Sequence, residues 1–236
     1  MSNSVSPAEL IQYLDDNFVE PVLIKIFNKV DHAIDFSKGY ICLGTVEYYR
    51  KKYEQDGRGD SGDSIATFPI VFGISDKNSP STIHNVYATQ TNILTALIYC
   101  MMEYDHSISS KKKVIDYFKQ KENLGSYLCV IKNREHFNQQ LNNLTFISMI
   151  DGDRFIPVIR LPYVCGRVEY VDRPDSMGFQ KKSISKYVLQ QEYRYAFNFY
   201  AKGLTQSQKG QLKSTCLFNI GESIECDIFQ VESMTL

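Results

Sequence analysis

The stretch "KYVLQQEYRYAFNFY", residues 186 to 200, puts a carboxylate, Glu192, where the hydrophobic rhythm of the chain changes. From there the less apolar Glu192, Arg194, Ala196 and Asn198 alternate with Tyr193, Tyr195, Phe197 and Phe199, the period of two that marks a strand with one buried face. A carboxylate fixed at the first residue of a strand can do either of two things. It can stabilise positive charge developing on a substrate and take a proton from an acceptor, or it can pair with Arg194, its same-face neighbour two residues on. Such spacing usually means the pair, and the residues by themselves leave both readings open.

The other acids offer less. Asp56, Asp60 and Asp63 in "DGRGDSGD" could meet a divalent cation through oxygen, but they lack the residue order and the distal glutamate of a calcium loop. Asp151 and Asp153 in "IDGDRF" would suit a metal-dependent nuclease, yet no partner lysine accompanies them. His32, His84, His106 and His136 are scattered, and the six cysteines are separated by at least nine residues with no C-x-x-C pair, so no metal site is expected. Cysteines set in apolar runs such as "YICLG" and "YLCVI" read as reduced core thiols, which points to a cytoplasmic protein. The tripeptide Arg58-Gly59-Asp60 would concern adhesion only on a secreted chain.

These groups need elements to hold them. Ser6 as N-cap, Pro7 as first helical residue and Glu9 three residues after the cap predict an N-terminal helix over 6–17. "PVLIKIFN" from Pro21 reads as a strand, "HAIDFSKG" as a short helix or turn closed by Gly39, and "YICLGTVEYY" as a second strand. The polar segment 50–64, with three glycines and almost no apolar residues, reads as a flexible surface flap. Residues 90–104 carry a helical pattern, and a helix capped by Ser109 or Ser110 is expected from Lys111 to Glu122. "SYLCVI" reads as a strand, "REHFNQQLNNL" as a helix, "VIRLPYVCGRVEYV" as two strands interrupted at Pro162 and Gly166, and 201–213 as loop and helix. The mixture without strict alternation predicts a single α+β domain over 1–236.

"Gln190-Gln191-Glu192" resembles the Q-x-E or E-x-E turn of ADP-ribosyltransferases, in which the last glutamate opens a strand and holds the nicotinamide ribose. "FSKGYICLGTVEYYRKKYEQDGRGD", residues 36 to 60, and "KYVLQQEYR", residues 186 to 194, are similar to two patches of small prokaryotic phage-defence proteins, some of which resemble the transferase toxins of toxin-antitoxin systems. The resemblance implies split mixed or antiparallel sheets flanked by helices, with NAD as a substrate. It assigns Glu192 and Gln190 to catalysis. Departure of nicotinamide leaves oxocarbenium-like charge on the ribose, which a fixed carboxylate stabilises more than the ground state.

For cofactor binding the resemblance brings forward Lys25, Thr45, Tyr48, Tyr49, Arg50 and Arg58. The family's arginine or histidine on the first core strand is missing. Lys25 stands there instead, a point charge without the planar fork of arginine. The implied partners are a macromolecular acceptor such as RNA or DNA and a neutralising antitoxin. A non-catalytic sensor or protein-binding module on the same scaffold is the alternative, and the missing arginine would explain it.

Composition narrows the field further. With 43% hydrophobic residues the chain can bury a sizeable core, and a net charge of -1 gives no global reason to bind nucleic acid. Local basic clusters at 50–52, 111–113 and 181–182 could still meet phosphates if folding gathered them. The apolar run 93–102 is about half the ~20 residues of a membrane span, so no membrane partner is expected.

Overall fold

The computed structural model describes residues 3–45, 69–71, 85–87, 97–119, 125–142, 145–149, 163–171, 181–183, 189, 191–197 and 215–232. In chain order they form β1 (Asn3–Val5), α1 (Pro7–Asn17), β2 (Val22–Phe27), α2 (Val30–Ser37), β3 (Tyr40–Thr45), β4 (Pro69–Val71), β5 (Asn85–Tyr87) and β6 (Leu97–Tyr104). There follow α3 (Ile108–Lys119), β7 (Tyr127–Ile131), α4 (Arg134–Leu141), β8 (Thr145–Met149), β9 (Tyr163–Arg167), β10 (Glu169–Val171), β11 (Lys181–Ser183), β12 (Glu192–Phe197), β13 (Thr215–Asn219) and β14 (Cys226–Val231).

Local chemistry starts α1 where the residue types require it. The Ser6 hydroxyl accepts the Glu9 N–H at 3.2 Å, and the Glu9 carboxylate accepts the Ser6 N–H at 2.7 Å, so two end donors are satisfied reciprocally. Helix α2 closes on Gly39, whose φ of +91° suits glycine, and a Cβ there would run into the carbonyl oxygen of Glu222. Helix α3 begins at Ile108, three residues before the expected Lys111. Its cap is Ser107, whose hydroxyl accepts the Ser110 N–H at 3.0 Å, rather than Ser109 or Ser110.

Residues 97–104 are strand β6 and not part of a helix. "LIYCMMEY" is apolar at nearly every position because both faces of the strand are covered, and a continuous apolar run carries no period that separates strand from helix. Gly166 does not interrupt the chain either; it lies within β9, opposite Arg194.

Among the described residues ten strands join in one mixed sheet, ordered β1-β14-β7-β2-β6-β3-β13-β8, with β12 lying between β6 and β9. On one face Leu23, Tyr99, Met101, Tyr195 and Phe218 pack with Phe36 of α2 and Phe137 of α4. On the other Ile24, Met102, Tyr104 and Val130 pack with Leu10 and Leu14 of α1 and Val114 and Phe118 of α3. Each fully buried leucine of these layers contributes about 1.5–3 kcal/mol. The mixture of helices and strands agrees with the α+β expectation. Among the described residues no helix is long and apolar enough to cross a membrane.

The sheet forks at β6. One edge of this strand pairs with β12 from Leu97 to Met102. The other edge serves two strands, β3 at Leu97 and Ile98 and β2 from Met102 to Tyr104, which leaves residues 99–101 between them.

Candidate functional site

Lys25 follows directly on Ile24, the last β2 residue paired with β6, so its side chain starts at the fork. The ammonium donates to the Cys100 carbonyl at 2.7 Å, between the positions at which β3 and β2 pair with β6. It also lies 4.0 Å from the centre of the Tyr99 ring. Burial lowers its pKa below the ordinary lysine range, opposed by the charges of Cys100, Cys42, Glu192 and Cys129.

Glu192 opens β12, as the change of rhythm predicts. The strand is not half exposed, however: all six residues are buried, because β6 and β9 flank it and both faces are covered. Glu192 is 4% and Arg194 2% exposed at the side chain, and the Arg194 Nε donates to a Glu192 carboxylate oxygen at 2.8 Å. These two lie on the sheet face opposite Tyr193, Tyr195 and Phe197. The entry to the strand is conformationally unusual: Gln191 has a φ of +44°, and its carbonyl accepts the Glu103 N–H at 2.9 Å.

Lys25 and the Glu192–Arg194 pair thus flank β6, the lysine from β2 and the pair from β12. Thr45 is fully buried but pairs with Leu97, whereas Glu192 pairs with Met102. Those positions are five steps apart along β6, about 17 Å in a strand. Thr45 thus stands apart from Glu192. Gln190, Tyr48, Tyr49, Arg50 and Arg58 lie outside the described residues, as do the flap 50–64 and Asp151 and Asp153.

A second charged group centres on Glu103, which the sequence reading passed over. Its side chain is 6% exposed and accepts Arg134 Nη1 at 2.8 Å together with Arg167 Nε. Arg134 stacks 4.5 Å above the Tyr193 ring, and Arg167 reaches to 3.7 Å from Asp105. The cluster ties β6 to the end of β9 and the start of α4. Its signal was a lone acid within the apolar run "LIYCMMEY". Among the described residues no group of three histidines, cysteines or acids could hold a metal ion.

No protein-family model matches this chain, and no curated protein or solved structure matches it either.

Proposed function

We propose that this chain works by recognition rather than by group transfer, as a sensor or protein-binding module of the defence-system class built on a forked mixed sheet. One observation carries the reading. Glu192, which would have to lie open to the ribose of NAD, is 4% exposed and already takes the Arg194 guanidinium at 2.8 Å. A carboxylate compensated in this way has little left to offer a cation developing on a sugar. Lys25 supports the same reading, since its ammonium is engaged by a carbonyl and an aromatic face inside the fork.

A second reading retains specific support: an ADP-ribosyltransferase toxin or defence effector that passes ADP-ribose from NAD to RNA, DNA or another macromolecule and needs an antitoxin. The left-handed Gln191 immediately before Glu192 is the kind of backbone strain that clusters at working sites.

The two readings separate on incubation with NAD labelled in its adenylate half and mixed RNA, DNA and protein. Recognition predicts no nicotinamide release and no labelled acceptor from the wild type. Release by the wild type that disappears in a folded Glu192→Gln variant would overturn it in favour of the transferase.

A further inference from the structure

Among the described residues two large apolar side chains stand almost wholly in water, Val19 at 93% exposed and Ile108 at 88%, whereas Tyr40 and Ile34 follow at 38% and 37%. The two share one place. Val19 lies in the bend between α1 and β2, and Ile108 opens α3. His106 Nε2 lies 3.1 Å from the carbonyl oxygen of Glu20, so the chain next to Val19 touches the chain just before Ile108. The turn that presents Ile108 is fixed, since His106 holds a φ of +63° and its Nδ1 lies 3.1 Å from the Asp15 carboxylate of α1. Apolar tips held in place lose little freedom when another surface covers them.

The charges around this pair run against helix stability. The end of α1 meets the start of α3 here, where Lys111 bridges Asp15 at 2.6 Å. A helix dipole favours cations at its end and anions at its start. The last turn of α1 nevertheless has no basic residue and holds Asp15 and Asp16, and the first turn of α3 has no acid and runs on into Lys111, Lys112 and Lys113. Asp15 and Lys111 compensate each other. Asp16 and Lys112, each one residue further along, are exposed, as is Glu20 beside Val19, and Lys113 is half-buried. Acids therefore rim the apolar pair on the side of α1 and lysines on the side of α3.

We infer that this end of α1 and α3 is a self-association surface whose partner is a second copy of this chain. A two-fold axis through the Val19 and Ile108 pair lays apolar tips on apolar tips and sets Asp16 and Glu20 of each copy against Lys112 and Lys113 of the other. A partner of one charge sign is repelled by one of the rims: an anionic lipid surface by Asp16 and Glu20, a cationic surface by Lys112 and Lys113. The same patch turned by half a revolution carries both signs in the opposite order and so suits both rims. Two aliphatic anchors make a small interface, and the dimer is accordingly reversible, with a dissociation constant on the order of 10–100 μM.

Sedimentation equilibrium of the full-length chain from about 5 to about 300 μM, a range that brackets this constant, tests the inference. The wild type is expected to pass from monomer to dimer, and Val19→Ser with Ile108→Ser should weaken the association at least about tenfold. Asp16→Lys with Glu20→Lys, and separately Lys112→Glu with Lys113→Glu, should each stay monomeric alone and form a one-to-one dimer when mixed, because the reversed rims then complement each other. Circular dichroism checks that each variant is folded, and Lys112→Glu alone replaces the pair if the half-buried Lys113 does not tolerate the change. A wild type that remains monomeric at the highest concentration, including one that binds phosphatidylserine vesicles instead, would overturn the inference. So would reversed variants that dimerise as the wild type does, or that fail to pair when mixed.

Discussion

An ammonium drawn out of water loses hydration, and Lys25, half-buried on β2, recovers part of it from one carbonyl and one aromatic face. The balance is visible in its lowered pKa, for which burial is the largest cause. In the unfolded chain a lysine keeps its proton to about pH 10.4. Between the lowered folded value and that point the unfolded chain binds more protons than the folded one, so this group makes stability rise with pH. Wild type should therefore gain stability relative to Lys25→Met as the pH is raised from about 7 to about 10, read from urea unfolding at each pH. A difference that stays flat with pH would show that the ammonium is not disfavoured in the fold. The residue type and its place on the first long strand were readable in advance. That its charge would face a carbonyl of β6 was not, because that contact joins positions 75 apart in sequence.

Helix α1 illustrates which elements announce themselves. Its cap, its proline and its acidic third position are all local, so the expected 6–17 and the observed Pro7–Asn17 with Ser6 as cap coincide. Strand β6 offered no such local signal, since burial on both faces removed its period. Beside the apolar packing of Leu10 and Leu14, α1 is tied to β6 and α3 by Asp15, which accepts Lys111 at 2.6 Å, the Tyr104 hydroxyl at 2.8 Å and lies 3.1 Å from His106. Lys111 is the largest cause of an Asp15 pKa lowered to about 2. Because the folded value is depressed, this carboxylate stabilises the protein above its ordinary 3.8, and the contribution is lost as the pH falls through about 2. Asp15→Asn should remove that part of the acid dependence, so that circular dichroism across this range shows a shallower loss of relative stability than in the wild type. An unchanged acid profile would mean that Asp15 does not link the helices.

At the scale of the molecule, the α+β mixture followed from patterns along the chain, while the fork did not. Two strands far from β6 in sequence, β2 and β3, share one of its edges, and only the long-range register decides where each begins. The position of Glu192 at the head of β12 was legible from the switch to period two, and Arg194 was legible as its same-face partner. Their full burial was not, because it depends on β6 and β9 closing around the strand. The account turns on whether Glu192 is engaged by Arg194 or held ready for a substrate. A double-mutant cycle of unfolding free energies with Glu192→Gln, Arg194→Met and the pair together asks this directly. Each single change should cost about 3–5 kcal/mol by leaving a buried group without its counter-charge. The double change should cost less than their sum by at least about 2 kcal/mol. Costs that simply add, within about 0.5 kcal/mol, would mean that the carboxylate is not committed to the arginine and would contradict the account.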